Sequence, residues 1–146
     1  MTIALGADHG GYDLKEAIKT HLEQRDIPFV DFGSHDGIRC DYPAMALPVA
    51  EAVAGGKCDR GLLFCGTGIG ISMAANKVKG IRAAVCSDCY SAKYTRLHND
   101  ANILCLGGRV VGVGLAIEMV DLFLDTEFEG GRHQTRVDMI ADIENR

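Results

Sequence analysis

Five short apolar runs punctuate the chain, and each is followed by a glycine or a polar turn. They are Thr2 to Ala7, Ile27 to Phe32, Leu62 to Cys65, Ile81 to Cys86 and Ile103 to Leu106. Within each run apolar residues follow one another instead of alternating with polar ones, as in strands buried on both faces. The stretches between carry helical spacing. Leu14, Ala17, Ile18 and Leu22 share one face after the first run, and Leu47, Ala50 and Val53 form a weaker stripe before the third. A helix is also expected around Ile71 to Asn76. Leu115, Ile117, Met119, Val120, Leu122 and Phe123 predict a largely buried helix after the fifth run. A last helix with Val137, Ile140 and Ala141 begins beyond Gly130-Gly131. Strands alternating with helices predict right-handed crossovers and an α/β, doubly wound, Rossmann-like sheet of five parallel strands with helices on both faces. Such sheets bind ligands beyond the carboxyl ends of their strands. That draws attention to Asp8-His9-Gly10-Gly11, Gly33 to Tyr42, Cys65 to Gly70, Ser87-Asp88 and Gly107-Gly108-Arg109.

At 146 residues, with no linker, repeat or low-complexity stretch, one domain over residues 1–146 is expected. The formal net charge of −5 argues against nucleic-acid binding, which needs a basic surface. It leaves room for a small anionic substrate held by a few arginines in one cleft. No apolar run is long enough to span a membrane, and the opening MTIALGADHGG lacks the basic start of an export signal. Three of the six cysteines, Cys65, Cys86 and Cys105, lie in or at the ends of apolar runs, where free cysteine behaves as a small hydrophobe. A reducing cytoplasm is therefore expected.

The most informative stretch is Cys65-Gly66-Thr67-Gly68-Ile69-Gly70. Alternate glycines let backbone amides approach a ligand, and a following helix N-terminus adds positive potential. The segment suits a phosphate or a developing oxyanion, and equally a plain strand-to-helix turn. Its spacing is not that of a dinucleotide fingerprint. Cys65 at the loop mouth is either a reactive thiol or ordinary core. His9 beside Asp8, and His98 in His98-Asn99-Asp100, sit at expected loop positions where acid–base work is plausible, whereas His21 and His35 read as surface residues. Arg132 and Arg136, four apart, share a helix face, and Arg109 lies in a glycine turn. These could clamp phosphate or form a solvated basic face. Cys86-Ser87-Asp88-Cys89 is a C-x-x-C, but it follows the fourth strand and no second pair lies at metal-site spacing.

Taken together, GADHGGYDLK, DYPAMA, CGTGIGISMAANKVKGIRAAVC, YSAKYTRLHNDANILCLGGRVVG and EGGRHQTRV resemble the ribose-5-phosphate isomerase B family over almost the whole chain. Its relatives include galactose-6-phosphate and allose-6-phosphate isomerases. The resemblance implies an aldose–ketose isomerase with Cys65 as the base that moves a proton between two carbons. Ser72 stands where cysteine-lacking relatives have a glutamate, which places the chain in the cysteine branch. Thr67 and the amides of Gly66, Gly68, Ile69 and Gly70 match the oxyanion loop. His98 matches the ring-opening residue and Asp8 its helper. Asn99 and Tyr42 match substrate-orienting positions, and His9, Arg109, Arg132 and Arg136 match the phosphate clamp. The resemblance also implies a homodimer, or a dimer of dimers, with sites shared between subunits.

No metal or organic cofactor is expected. His98-Asn99-Asp100 and Gly130-Gly131-Arg132-His133 favour ribose 5-phosphate over galactose 6-phosphate, with allose 6-phosphate open as a second substrate. A receiver domain would need an acidic pair after the first strand and an aspartate where Cys65 stands. A flavodoxin would need a Ser/Thr-rich loop where GADHGG stands.

Overall fold

The computed structural model describes residues 1–146. The chain runs β1 (Ile3–Ala7), α1 (Tyr12–Gln24), β2 (Phe29–Asp31), α2 (Tyr42–Ala54), β3 (Arg60–Cys65), α3 (Ile69–Ala75), β4 (Ala83–Val85), α4 (Cys89–Asn99), β5 (Ile103–Gly107), α5 (Val113–Asp125) and α6 (Arg132–Glu144). All five strands are parallel, in the order β2-β1-β3-β5-β4. The predicted doubly wound α/β architecture is what the chain forms.

Side-chain alternation across the sheet makes two cores. Leu62 and Phe64 of β3 join Leu14, Ile18, Ala92, Met119 and Phe123, so α1, α4 and α5 cover one face. Leu63 and Cys65 join Ala46, Val49, Val53, Ile71 and Ala75, so α2 and α3 cover the other. The three inner strands are almost wholly buried, as their continuous apolar runs predicted. The outer strands differ from expectation. β2 and β4 have three residues each and are only half-buried, with Val85 exposed, because an edge strand is covered on one side only. Asn76 blunts the β4 edge: Ala83 N–H donates to its Oδ1 at 2.8 Å and its Nδ2 donates to Ala83 O at 2.9 Å.

Four helices also correct the sequence reading. In α2 the buried stripe is Ala46, Val49, Ala50 and Val53, while Leu47 points outward. α3 starts at Ile69, before the expected Ile71, directly on the glycine loop. α4 carries no apolar stripe: its buried residues are Ala92, Thr95 and Arg96, and Asp88 caps it by accepting from Ser91 N–H at 2.7 Å. In α6 only His133 and Val137 are buried, leaving Ile140 and Ile143 exposed.

One buried charge braces the sheet. Lys15 is fully buried on the apolar face of α1. Its Nζ donates to both Asp31 oxygens at 2.8 and 2.9 Å and to Ser34 O at 2.6 Å, and Lys19 pairs with Asp31 at 2.9 Å. Burial alone would raise the Asp31 carboxyl, but Lys15, Lys19 and the Gly33 N–H hold it below its ordinary pKa. The segment so anchored is tied to the end of β1 through Ser34 N–H to Ala7 O and Ala7 N–H to Gly33 O, each 2.7 Å.

Candidate active site

After β1 the chain crosses to β2 on one side and, by way of α2, to β3 on the other, so a crevice opens where these strands end. Three loops meet there at backbone distance. Gly108 N–H donates to Cys65 O at 2.8 Å and Arg109 N–H to Gly66 O at 3.0 Å. A Cβ on Gly10 would lie 2.8 Å from Gly66 N, so only glycine lets the first and third loops touch. Gly68 has φ of +80° and is packed against Val85 and Gly107, which again excludes a side chain.

These contacts place the predicted residues. Cys65 ends β3 and is buried, and its Sγ accepts from Gly68 N–H at 3.1 Å. Thr67 is exposed at the loop tip, its Oγ1 accepting from Ile69 N–H at 3.2 Å. Asp8 is buried, and its Oδ1 accepts from Gly10 N–H at 2.8 Å and Gly11 N–H at 3.2 Å. His9 Nδ1 lies 3.2 Å from Cys40 O and 3.3 Å from Cys40 N, bridging the first loop to the approach to α2. The Tyr42 ring opens α2 and lies over Gly70, where a Cβ would come within 2.7 Å of it. The Arg109 guanidinium lies beside Gly66.

The remaining predicted residues gather at the β4 edge. His98 and Asn99 occupy the last turn of α4, not a loop as expected, while Arg132 and Arg136 occupy the first turns of α6. With His133, Val137 and Ile140 they line a cavity of about 370 Å³ that contains no crevice residue. Asp100, with φ of +46°, stops α4 there. Its carboxylate pairs with Arg96 at 2.8 Å and Arg82 at 3.4 Å, fixing the turn behind Asn99. Arg25, Arg82 and Arg96 are thus tied to carboxylates. Arg109, Arg132 and Arg136 are exposed and have no carboxylate partner, so their guanidinium groups are available to an anion.

Sequence reading assigned no role to Glu129 or His133. The His133 ring stacks on His98 with centroids 4.1 Å apart, and Glu129 lies 3.9 Å from both. The His133 pKa is held below the ordinary histidine value, first by burial and then by His98 and Arg132, against Glu129. The i, i+4 spacing of Glu129 and His133 was a signal, but their approach to His98 is tertiary. His35 is exposed as expected. His21, by contrast, is half-buried and bonds Asp121 at 2.7 Å across to α5. All six cysteines are free. Burial pushes the Cys86 thiol up to about 11 and also raises Cys89, whose Sγ lies 3.6 Å from Glu118, so neither resembles a redox thiolate.

A parallel sheet that brings a buried cysteine, a glycine loop and the unpaired Arg109 to its strand ends describes an enzyme for a small anionic substrate. The sequence pattern of the Ribose/Galactose Isomerase family matches residues 3–140, and the chain belongs to that family. It is 54% identical to ribose-5-phosphate isomerase B of Escherichia coli over 99% of this chain and 97% of the relative. It is 45% identical to a D-erythrulose-4-phosphate isomerase of Pectobacterium atrosepticum, over 100% and 97% of the two chains. Among solved structures, ribose-5-phosphate isomerase B of Clostridium thermocellum superposes with a TM-score of 0.98 at 57% identity, covering 99% and 98% of the two chains. No helix is long and apolar enough to cross a membrane.

Proposed function

We propose that this isomerase interconverts ribose 5-phosphate and ribulose 5-phosphate through a cis-enediolate, with Cys65 as the base. The supporting observation is the loop Cys65–Gly70: a sulfur held at the strand end by Gly68 N–H, with further amides and Thr67 around it. The Cys65 thiolate takes the proton from C2 of the open-chain aldose. The electron pair moves to the carbonyl oxygen on C1, and the enediolate is held by Thr67 and the amides of Gly66 to Gly70. The hydroxyl proton on O2 then passes to O1, the O2 electron pair forms the C2 carbonyl, and C1 takes the proton back from Cys65, which completes the ketose and restores the thiolate. C1 is reduced as C2 is oxidised, so the step needs no external redox partner. Stabilising the oxyanion is usually the largest single contribution, about 10²–10³ in rate per donor.

His98, assisted by Asp8, opens the furanose ring. Tyr42 and Asn99 orient the sugar, and His9, Arg109, Arg132 and Arg136 hold the phosphate. Because Arg132, Arg136 and His98 line a cavity apart from Cys65, we assign them to the site of a second subunit in a homodimer working in the cytoplasm. The decisive experiment compares kcat/KM for ribose 5-phosphate, allose 6-phosphate and D-erythrulose 4-phosphate, each with and without a chelator. Highest kcat/KM on the pentose, unchanged by chelation, is expected. A preference for either other sugar would overturn the substrate assignment, and no turnover of any would overturn the mechanism.

A further inference from the structure

His133 is 6% exposed, yet its Nε2 is buried without a hydrogen-bond partner. It is the one buried side-chain nitrogen or oxygen so left, and an orphan of this kind calls for an explanation. It stands with Glu129 beside His98, and neither Glu129 nor His133 has a part in the isomerisation proposed above. Glu129 Oε2 lies 3.9 Å from Nε2 of His133 and 3.9 Å from Nε2 of His98. One ligand atom from each of the three residues falls within 4.8 Å of the others.

We propose that His98, Glu129 and His133 form a binding site for one transition-metal ion of the zinc type, and that its occupation inhibits the enzyme by withdrawing His98. Two imidazoles and a carboxylate are a ligand set that zinc uses when its fourth position stays open. Bonds of about 2.0–2.2 Å in a tetrahedron keep ligand atoms roughly 3.3–3.6 Å apart, so the two distances to Glu129 need only a small contraction.

The residues divide the work. His133 is the fixed post: it is buried, and its backbone N–H donates to Gly130 O at 3.1 Å. Its ring lies parallel to that of His98, within 13°, so their lone pairs do not yet converge and His98 must swing. The His98 side chain is 37% exposed and that of Glu129 52%, which leaves both free to rotate onto an ion. Glu129 stays close because its N–H donates to Leu97 O at 3.1 Å. The cavity in front admits a water or an anion at the fourth position.

Arg132 and Arg136 line the same cavity and repel any cation. That repulsion selects among ions. Magnesium and calcium depend on charge and oxygen ligands, and fail here. Zinc, nickel and copper gain bond strength from imidazole nitrogen. Sugar phosphate and metal exclude one another, since both engage His98. The inhibitory half rests on the ring-opening role proposed above; the binding half does not.

The test titrates zinc chloride into the full-length protein by calorimetry, in a non-chelating buffer with a phosphine reductant. Wild type is compared with Glu129→Gln and His133→Asn. Cobalt(II) absorption identifies the ligands, because the six free cysteines compete for metal. The expected result is one zinc per chain, weakened at least about tenfold in each variant, since even outer-shell partners of a metal are worth 10–100-fold. Cobalt should show tetrahedral d–d bands without sulfur charge transfer, and magnesium should not bind. Zinc should inhibit turnover of ribose 5-phosphate reversibly by chelator, and Glu129→Gln should be active and resistant. Absence of stoichiometric zinc, equal affinity in the variants, or a dominant sulfur band would overturn the site. Should His133→Asn fail to fold, the exposed Glu129→Gln variant decides. Zinc bound as described but without inhibition would overturn the role of His98 and leave the metal site standing.

Discussion

The crevice around Cys65 and the cavity at the β4 edge are built in opposite ways. The crevice is a backbone construction: glycines let three loops touch, and peptide hydrogen bonds such as Gly108 N–H to Cys65 O hold them. The edge cavity is a side-chain construction between the last turn of α4 and the first turns of α6, a helix that buries only His133 and Val137. The lesson is that the first region is inseparable from the fold, whereas the second can be altered without disturbing it. The proposed mechanism asks the crevice for precise position in proton transfer and the edge for charge in binding.

The largest expected effect breaks the crevice chemically. Cys65→Ala should lower kcat by about 10²–10⁴, the usual share of a general base, with little change in KM. Steady-state ketose formation measures it, and a variant retaining a tenth of wild-type kcat would refute the assignment. Next comes the brace behind the crevice. Lys15→Ala removes the fully buried partner of a largely buried ion pair and should cost about 3–5 kcal/mol in urea unfolding. A loss below about 1 kcal/mol would show that Lys19 alone satisfies Asp31.

The edge cavity should respond the other way round. Arg132→Ala/Arg136→Ala should raise KM at least about tenfold, because a hydrogen bond to a charged group is worth roughly 1.5–3 kcal/mol. Stability should stay within about 0.5 kcal/mol per substitution, as for exposed side chains. Mixing this variant with Cys65→Ala sharpens the contrast: activity recovered on subunit exchange supports sites shared between subunits, and none, with exchange confirmed, refutes them.

The smallest effect is on acid stability. Asp31 has a folded pKa below its unfolded value, so its contribution is complete above the ordinary carboxylate pKa of about 4 and disappears as pH falls through the folded value. Urea midpoints should therefore drop more steeply on acidification in wild type than in Asp31→Asn. Equal slopes would show that Asp31 is not the linked group.

Much of this was legible in the chain. The continuous apolar runs of β1, β3 and β5 announced buried parallel strands, and the turn after each named the crevice residues, because strand ends and ligand sites coincide in this architecture. The Cys65–Gly70 stretch was readable as a strand-to-helix turn suited to an anion, although its glycine pattern alone fits a plain turn equally well. α4 escaped, because it packs through Ala92, Thr95 and the stem of Arg96 without an apolar period. Lys15 escaped because a lysine in an amphipathic helix reads as solvated until a buried carboxylate appears opposite it.

What the sequence by itself determined is the set of parallel strands, their order along the chain and the chemical inventory at their ends. Local pattern is enough for that, since period and turn chemistry act within a few residues. Tertiary structure alone decided that β5 lies between β3 and β4, that His98 closes a helix turn, and that Glu129 and His133 stand against it. Those outcomes depend on which distant surfaces pack together, and packing energy is a property of the pair of surfaces and is written in neither segment alone.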